Sequence, residues 1–224
     1  GGTAIIFMAH RSARRDQEDM FMHRFSTLVV AAFLSLCVTV AWSGDVKKGW
    51  AAYNALDYAA AKAEWQELAD AGDAEAAYGI GMLYGNGFGV DMDDALALKY
   101  YGIAAEKGHK EAQFNLAVMH QNGWGMSPNE KLANEWYLKA ADQGQKQAQM
   151  ALGRYYAMDF SSSYDPVKAY KWFSLAKRLG DIDASTKQDF IMSRMTAEQI
   201  AEGDALVEAW ASTNKEIVAN APEF

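Results

Sequence analysis

Two histidines, His109 and His120, are the residues beyond the N-terminal stretch best suited to bind a metal or carry a proton, and Glu111 lies beside the first. A metal site needs three or four converging ligands. Each histidine also has a plainer duty: His109 falls in a turn, and His120 holds a helix position filled elsewhere by Tyr84 and Tyr156. Metal ligation is therefore not expected. Thiol chemistry could draw only on Cys37, which sits inside an apolar run near the N-terminus. Ser161, Ser162 and Ser163 form a polar loop without the glycine elbow or the partner histidine that a serine nucleophile requires. Gly85, Gly87 and Gly89 have the spacing of a phosphate-binding loop, but they follow a helical pattern rather than a strand and recur one unit later, which marks a turn. No catalytic residue and no cofactor is expected.

What positions these residues is a repeat. Gly72, Gly108, Gly144 and Gly180 stand 36 residues apart, and so do Ala76, Ala112, Ala148 and Ala184. A strict period of this length is the mark of stacked supersecondary units. The units read Gly72 to Lys107, Gly108 to Gln143 and Gly144 to Leu179. In each, a first segment carries Ala76, Ile80, Gly81 and Tyr84 (Ala112, Leu116, Ala117 and His120 in the next) on one helical face. The small residue at Gly81, Ala117 and Gly153 leaves room for a second helix to approach closely.

That second helix has columns Ala97/Ala133/Ala169, Tyr100/Trp136/Trp172, Tyr101/Tyr137/Phe173 and Ala104/Ala140/Ala176, one stripe of small and aromatic residues. Ala61 and Trp65 continue it one period earlier. Aromatics at this spacing predict core. The connectors starting at Gly85 and Gln121 are glycine-rich, as turns with positive φ require. Ser127, Pro128 and Glu130 read as an N-cap, a first-turn proline and its capping-box partner. Gly108 and Gly144 suit the position just past a helix C-terminus. No segment sustains period-two alternation, so the expected fold is all-α: an α/α superhelical solenoid of helix-turn-helix repeats with a 36-residue period.

The motifs A-x-x-x-L-G/A-x-x-Y/H, G-x-G-V/M and A-x-x-W/Y-Y/F-x-x-A-A-x-x-G, in register three times, resemble the Sel1-like repeat family, a branch of the tetratricopeptide-like superhelices. The resemblance covers Gly72 to Asp181 closely and Gly49 to Trp210 loosely. It divides the chain into an N-terminal capping helix pair at 44–71, three repeats at 72–182, capping helices at 183–213 and a frayed tail at 214–224. Asp57 is the expected N-cap of the first capping pair's second helix, and Thr196 with Gln199 forms a capping box for a helix burying Ile200, Leu206 and Val207. The third repeat departs from the pattern, with Asp159 and Ser161 where the loop glycines should be.

In tetratricopeptide-like superhelices the first helices line the concave surface. The resemblance therefore implies a partner-binding groove of Glu75, Met82, Asn86, Glu111, Asn115, Val118, Asn122, Gln147 and Arg154, together with Gly79, Ala151 and Met158. These columns change in charge and size from unit to unit while the core columns hardly change. That variation suits a recognition surface and also suits any solvated face. Phe88, Trp124 and Phe160 lie on the connectors; a recurring loop aromatic most simply packs under its own turn, the alternative being an exposed anchor.

The segment before the repeats reads as an address. After Met22, His23 and Arg24 form a short basic region, Phe25 to Val40 is nearly all apolar, and Ala41-Trp42-Ser43 supplies a cleavage site before Gly44. Residues 22–43 are thus expected to be a cleaved signal peptide, with 1–21 upstream of the true start and the mature chain periplasmic or secreted. The same run is also long enough to remain as an uncleaved anchor. From Gly44 onward there is no cysteine, so helix packing without disulfides must hold the domain. That portion carries 26 acidic against 17 basic residues, which argues against nucleic acid and against an anionic membrane face.

The expected function is a non-enzymatic scaffold that holds a protein or peptide partner in the cell envelope or outside the cell. The alternatives are a hydrolase-like activity, as attributed to cysteine-rich relatives, and a membrane-anchored structural spacer.

Overall fold

Every repeated helix begins at a side chain that accepts a hydrogen bond from the N–H three residues on. In the computed structural model, which describes residues 46–158 and 162–222, the chain divides into Gly1–Lys48 and Gly49–Phe224. Of the first unit only residues 46–48 are described, and they are helical. The expected signal segment, its alternative as an anchor and the preceding 1–21 lie outside the described residues. Among the described residues no helix is long and apolar enough to cross a membrane.

The second unit is helical throughout, with no strand among its described residues. A first helix at residues 49–54 (α1) pairs with α2 (Tyr58–Asp70). The three repeats follow as α3 (Ala74–Asn86) with α4 (Asp94–Glu106), α5 (Lys110–Asn122) with α6 (Glu130–Asp142), and α7 (Lys146–Tyr156) with α8 (Pro166–Arg178). Then come α9 (Ala184–Met192), α10 (Ala197–Thr213) and the short α11 (Lys215–Ala219). From α2 to α9 each helix packs mainly on its chain neighbours, whereas α10 passes over α9 and packs on α8. This is the expected α/α superhelical solenoid.

The caps form two columns. Asp57, Asp93, Asn129 and Asp165 cap the second helices through their side-chain oxygens at 2.9–3.0 Å. Asp73, His109 and Gln145 cap α3, α5 and α7. The cap of α6 is therefore Asn129, one residue before Glu130, and not Ser127 as its sequence suggests. Pro128 instead lies against the Gly123 turn: a Cβ on Gly123 would meet its Cδ at 2.7 Å. The Asn129 N–H donates to the His120 carbonyl at 2.7 Å, which closes the connector and fixes where the helix begins. Asp93 to Tyr84 and Asp165 to Tyr156 repeat this bond at 3.0 and 2.9 Å. It thus persists in the third repeat, although Asp159, Phe160 and Ser161 lie outside the described residues.

The turn after each second helix uses its glycine as expected. Gly108 has φ +91° and donates to Ala105 O at 3.0 Å, while His109 N donates to Ala104 O at 3.1 Å. This is a Schellman closure. No atom lies within 4 Å of the site a Cβ would take, so the only penalty for a side chain there is conformational. Gly108→Val should lower stability by about 1–2 kcal/mol, read as a shift in the urea midpoint of the full chain. An unchanged midpoint would contradict the left-handed turn.

The aromatic and alanine columns form the core. Trp65, Tyr101, Tyr137, Trp172 and Phe173 are buried, and so are the alanines at each end of the stripe; only Trp136 is half-exposed. The small-residue column works by contact: a Cβ on Gly81 would sit 2.7 Å from the Tyr101 ring, and one on Gly153 would sit 2.5 Å from Phe173. The second helices are also linked to their neighbours by polar bonds. Tyr100 Oη donates to Asp70 Oδ1 at 2.8 Å and Tyr170 Oη to Asp204 Oδ1 at 2.7 Å.

A buried glutamine column is less visible in the sequence. Gln113 and Gln149 donate to Ala105 O and Ala141 O at 3.0 and 3.1 Å, one repeat apart. Gln143 completes the first pair by donating to Gln113 Oε1 at 2.8 Å. One repeat later its place is taken by Leu179, which has no donor, and Gln149 Oε1 is left buried without a partner.

Two expectations at the C-terminal end need correction. The capping box of Thr196 and Gln199 forms, and Val207 is buried, but Ile200 is half-buried and Leu206 is exposed. The buried face of α10 is Gly203, Val207, Trp210 and Ala211, because Gly203 lets the helix settle on the Tyr170 ring. The expected frayed tail also contains structure. Residues 215–219 form α11, and Ile217 reaches back to Gly144, where a Cβ would meet its Cγ2 at 2.6 Å.

Candidate functional site

Two cavities open beside the first helices, and they are the same feature one repeat apart. The first, about 280 Å³, is lined by Gly85, Asp94, Tyr101, Asn115 and Val118. The second, about 430 Å³, has Gln121, Glu130, Tyr137, Ala151 and Arg154 at the equivalent positions. Each has an acidic residue from the start of the second helix and a tyrosine from the core stripe as its floor. Burial pushes the Tyr137 hydroxyl up to about 12, while the nearby Arg154 charge acts the other way. This hydroxyl donates to Gln121 Oε1 at 2.7 Å.

The nine expected groove residues divide unevenly. Met82, Asn86, Asn115 and Val118 meet at the first cavity, with Trp124 on its wall, and Arg154 lines the second. Asn122 lines neither: it is exposed, and its Nδ2 donates to Val118 O of its own helix at 3.0 Å. Asn86 does the same to Met82 O at 2.8 Å. Glu75, Glu111 and Gln147 stand at the opposite end of the first helices. There Glu75 and Glu111 flank His109, with carboxylate oxygens 3.3 Å from Nε2 and 3.4 Å from Nδ1.

The histidines behave as structural residues. His109 Nδ1 accepts the Ala112 N–H at 3.3 Å, and its ring stacks on Tyr78 with centroids 4.3 Å apart. His120 is 9% exposed, and its Nδ1 is buried without a partner. Among the described residues no group of three metal-type ligands occurs. Burial lowers the His120 pKa below its usual 6.5, so the folded chain binds fewer protons there than the unfolded one. Its contribution to stability is complete above about pH 6.5 and is lost as pH falls through the lowered folded value. His120→Tyr, which restores the residue type of Tyr84 and Tyr156, should flatten the fall of the urea midpoint between pH 7 and 5. The same slope in the variant would contradict this role.

The loop aromatics part company. Phe88 stacks on Tyr58 with centroids 5.0 Å apart, as the packing expectation holds. Trp124 is 51% exposed and corrects that expectation. One repeat on, the place of Tyr58 is taken by Asp94, which offers no ring to stack against. Phe160 lies outside the described residues.

Several cavity residues escaped the sequence reading. Lys187 and Phe190 of α9 line the second cavity, and they continue the columns of Asn115/Ala151 and Val118/Arg154 by another 36 residues. The period itself could have found them, had the groove columns been carried on into α9. Asn134 of α6 also lines this cavity, with its Nδ2 buried and unpartnered.

A stack of capped helix pairs with a grooved first-helix face defines the class: a tetratricopeptide-like repeat protein. The family model of the Sel1 repeat matches residues 74–109, 110–145 and 146–181 in succession, and over this span the chain is a Sel1-like repeat protein. A Sel1 repeat protein from Oxalobacter formigenes has a similar structure, with a TM-score of 0.61 and 30% identity over 64% of this chain and 57% of that one. A protective antigen of uropathogenic Escherichia coli strains displaying an SLR fold shares the fold, with a TM-score of 0.55 and 22% identity. That match covers 80% of this chain and 47% of the antigen, so the chain spans only about half the length of either structure. No curated protein matches the chain.

Proposed function

We propose that this protein is a non-enzymatic scaffold that holds a protein or peptide partner along its first-helix groove, in the cell envelope or outside the cell. Sel1 repeats generally mediate protein–protein interactions, and three of them make up the centre of the chain. The observation that carries the reading is the pair of equivalent cavities, about 280 and 430 Å³, at successive repeats. Their structural walls repeat, while Asn115 and Val118 give way to Ala151 and Arg154. A periodic frame with varied contact residues suits recognition of an extended, non-repeating ligand. The N-terminal basic and apolar run with its Ala41-Trp42-Ser43 site supports the setting. The test is photocrosslinking in the native host with the full chain, carrying a benzophenone residue at Val118 or at exposed Glu67 of α2. The reading expects a discrete adduct from position 118 alone. Equal adducts from both positions, or none from 118, would overturn it.

A further inference from the structure

The two cavities share a frame but differ in charge. Both contain one acid at the same register, Asp94 in the first and Glu130 in the second. No basic residue lines the first. Arg154 and Lys187 both line the second, and neither is in an ion pair among the described residues. Arg154 replaces Val118 of the preceding repeat, and Lys187 replaces Ala151. Around these donors stand apolar walls: Phe173 as a buried floor, and Phe190 and Met158, which are 56% and 45% exposed.

Arg154 and Lys187 are exposed at the cavity's edge, where each can offer a charge-assisted hydrogen bond to an incoming anion. On a chain of formal net charge −8, two cations against one acid at one cavity are a local reversal of sign. Glu130 leaves the lining with a net positive charge, so a single carboxylate is matched and a cationic group is opposed.

We propose that the cavity between the second and third repeats recognises an acidic side chain of a peptide partner, with a large apolar residue next to it. The carboxylate accepts from Arg154 and Lys187, while the apolar neighbour packs against Phe190 and Met158. The cavity at the preceding repeat, with Val118 and Met82 and no basic lining residue, takes an uncharged part of the same segment. This rests on the scaffold reading and names the chemistry of its partner.

The test uses the full chain and a capped fluorescent nonapeptide with one Leu-Phe-Glu core in a Ser/Gly background. Its twins carry Gln or Lys in place of Glu. Fluorescence anisotropy at low salt should show the Glu peptide binding at least about tenfold more tightly than the Gln twin, with the Lys twin weakest. The preference should shrink as salt rises. It should vanish in Arg154→Gln/Lys187→Gln, a surface change that leaves the thermal midpoint nearly unchanged, while Phe190→Ala weakens the Glu and Gln peptides alike. Equal binding of the Glu and Gln peptides would overturn the proposal. So would an acid preference that survives in the double variant, or no binding of any peptide. If the Val118 photoadduct forms while the peptides show no acid preference, the scaffold stands and the carboxylate assignment falls. If the adduct is also missing, both fall.

Discussion

Trp65→Ala should cost the full chain about 3–5 kcal/mol, the range for deleting a buried large aromatic side chain. Trp65 is fully buried, and two elements, α1 and α3, are shaped around it. A Cβ on Gly49 would meet its indole at 2.1 Å, one on Gly79 would meet it at 2.7 Å, and the Trp50 ring packs edge-on with centroids 4.8 Å apart. The measurement is a chemical denaturation midpoint with its slope. A second variant isolates the cause. Glycine to alanine inside a helix ordinarily stabilises by about 0.5–1 kcal/mol, but Gly79→Ala should destabilise because the rigid indole occupies that space. In the Trp65→Ala background the same change should become neutral or favourable. A Gly79→Ala cost that is equal in both backgrounds would show that the helix, not the indole, opposes the methyl group.

The second expected result separates the core from the site within one cavity. Phe173 is 2% exposed, while Phe190 is 56% exposed, yet both line the cavity beneath Arg154. Phe173→Ala should lose about 3–5 kcal/mol, because it removes a ring packed against Gly153 and leaves a void between α7 and α8. Phe190→Ala should change stability by no more than about 0.5 kcal/mol while weakening peptide binding. Thermal melts paired with anisotropy would show the two effects apart. A large stability loss at Phe190 would make it a packing residue and remove it from the binding surface.

The architecture was legible because its cause is periodic. The alanine and aromatic columns recur at 36 residues since each helix pair must bury the same stripe against its neighbour. The cap column of Asp57, Asp93, Asn129 and Asp165 obeys the same period, but the local attraction of Ser127-Pro128 hid it at one repeat. Where the period ends, sequence patterning loses its hold. Leu206 and Val207 look alike as apolar neighbours, and only the contact of Gly203 with Tyr170 decides which of them faces inward. The groove was half legible. Its columns follow from helix geometry, but whether an asparagine there is free depends on local bonds: Asn122 is tied to Val118 O, and Asn115 bonds the Tyr101 hydroxyl. Trp124 could not be placed without noticing that Asp94 stands where Tyr58 supports Phe88.

The return of α11 has a consequence for how the array comes apart. In a stack where each helix touches mainly its neighbours, an end can peel away without disturbing the middle. Here Ile217, near the end of the chain, rests on Gly144 and close to Leu179, and Val218 and Ala221 pack on the same cluster as Tyr137, Leu152 and Trp210. Losing the last turn therefore unsettles the junction between the second and third repeats, a contact closed across more than seventy residues. Ile217 thus clasps the end of the array to the turn that enters the third repeat, whose first helix carries Arg154.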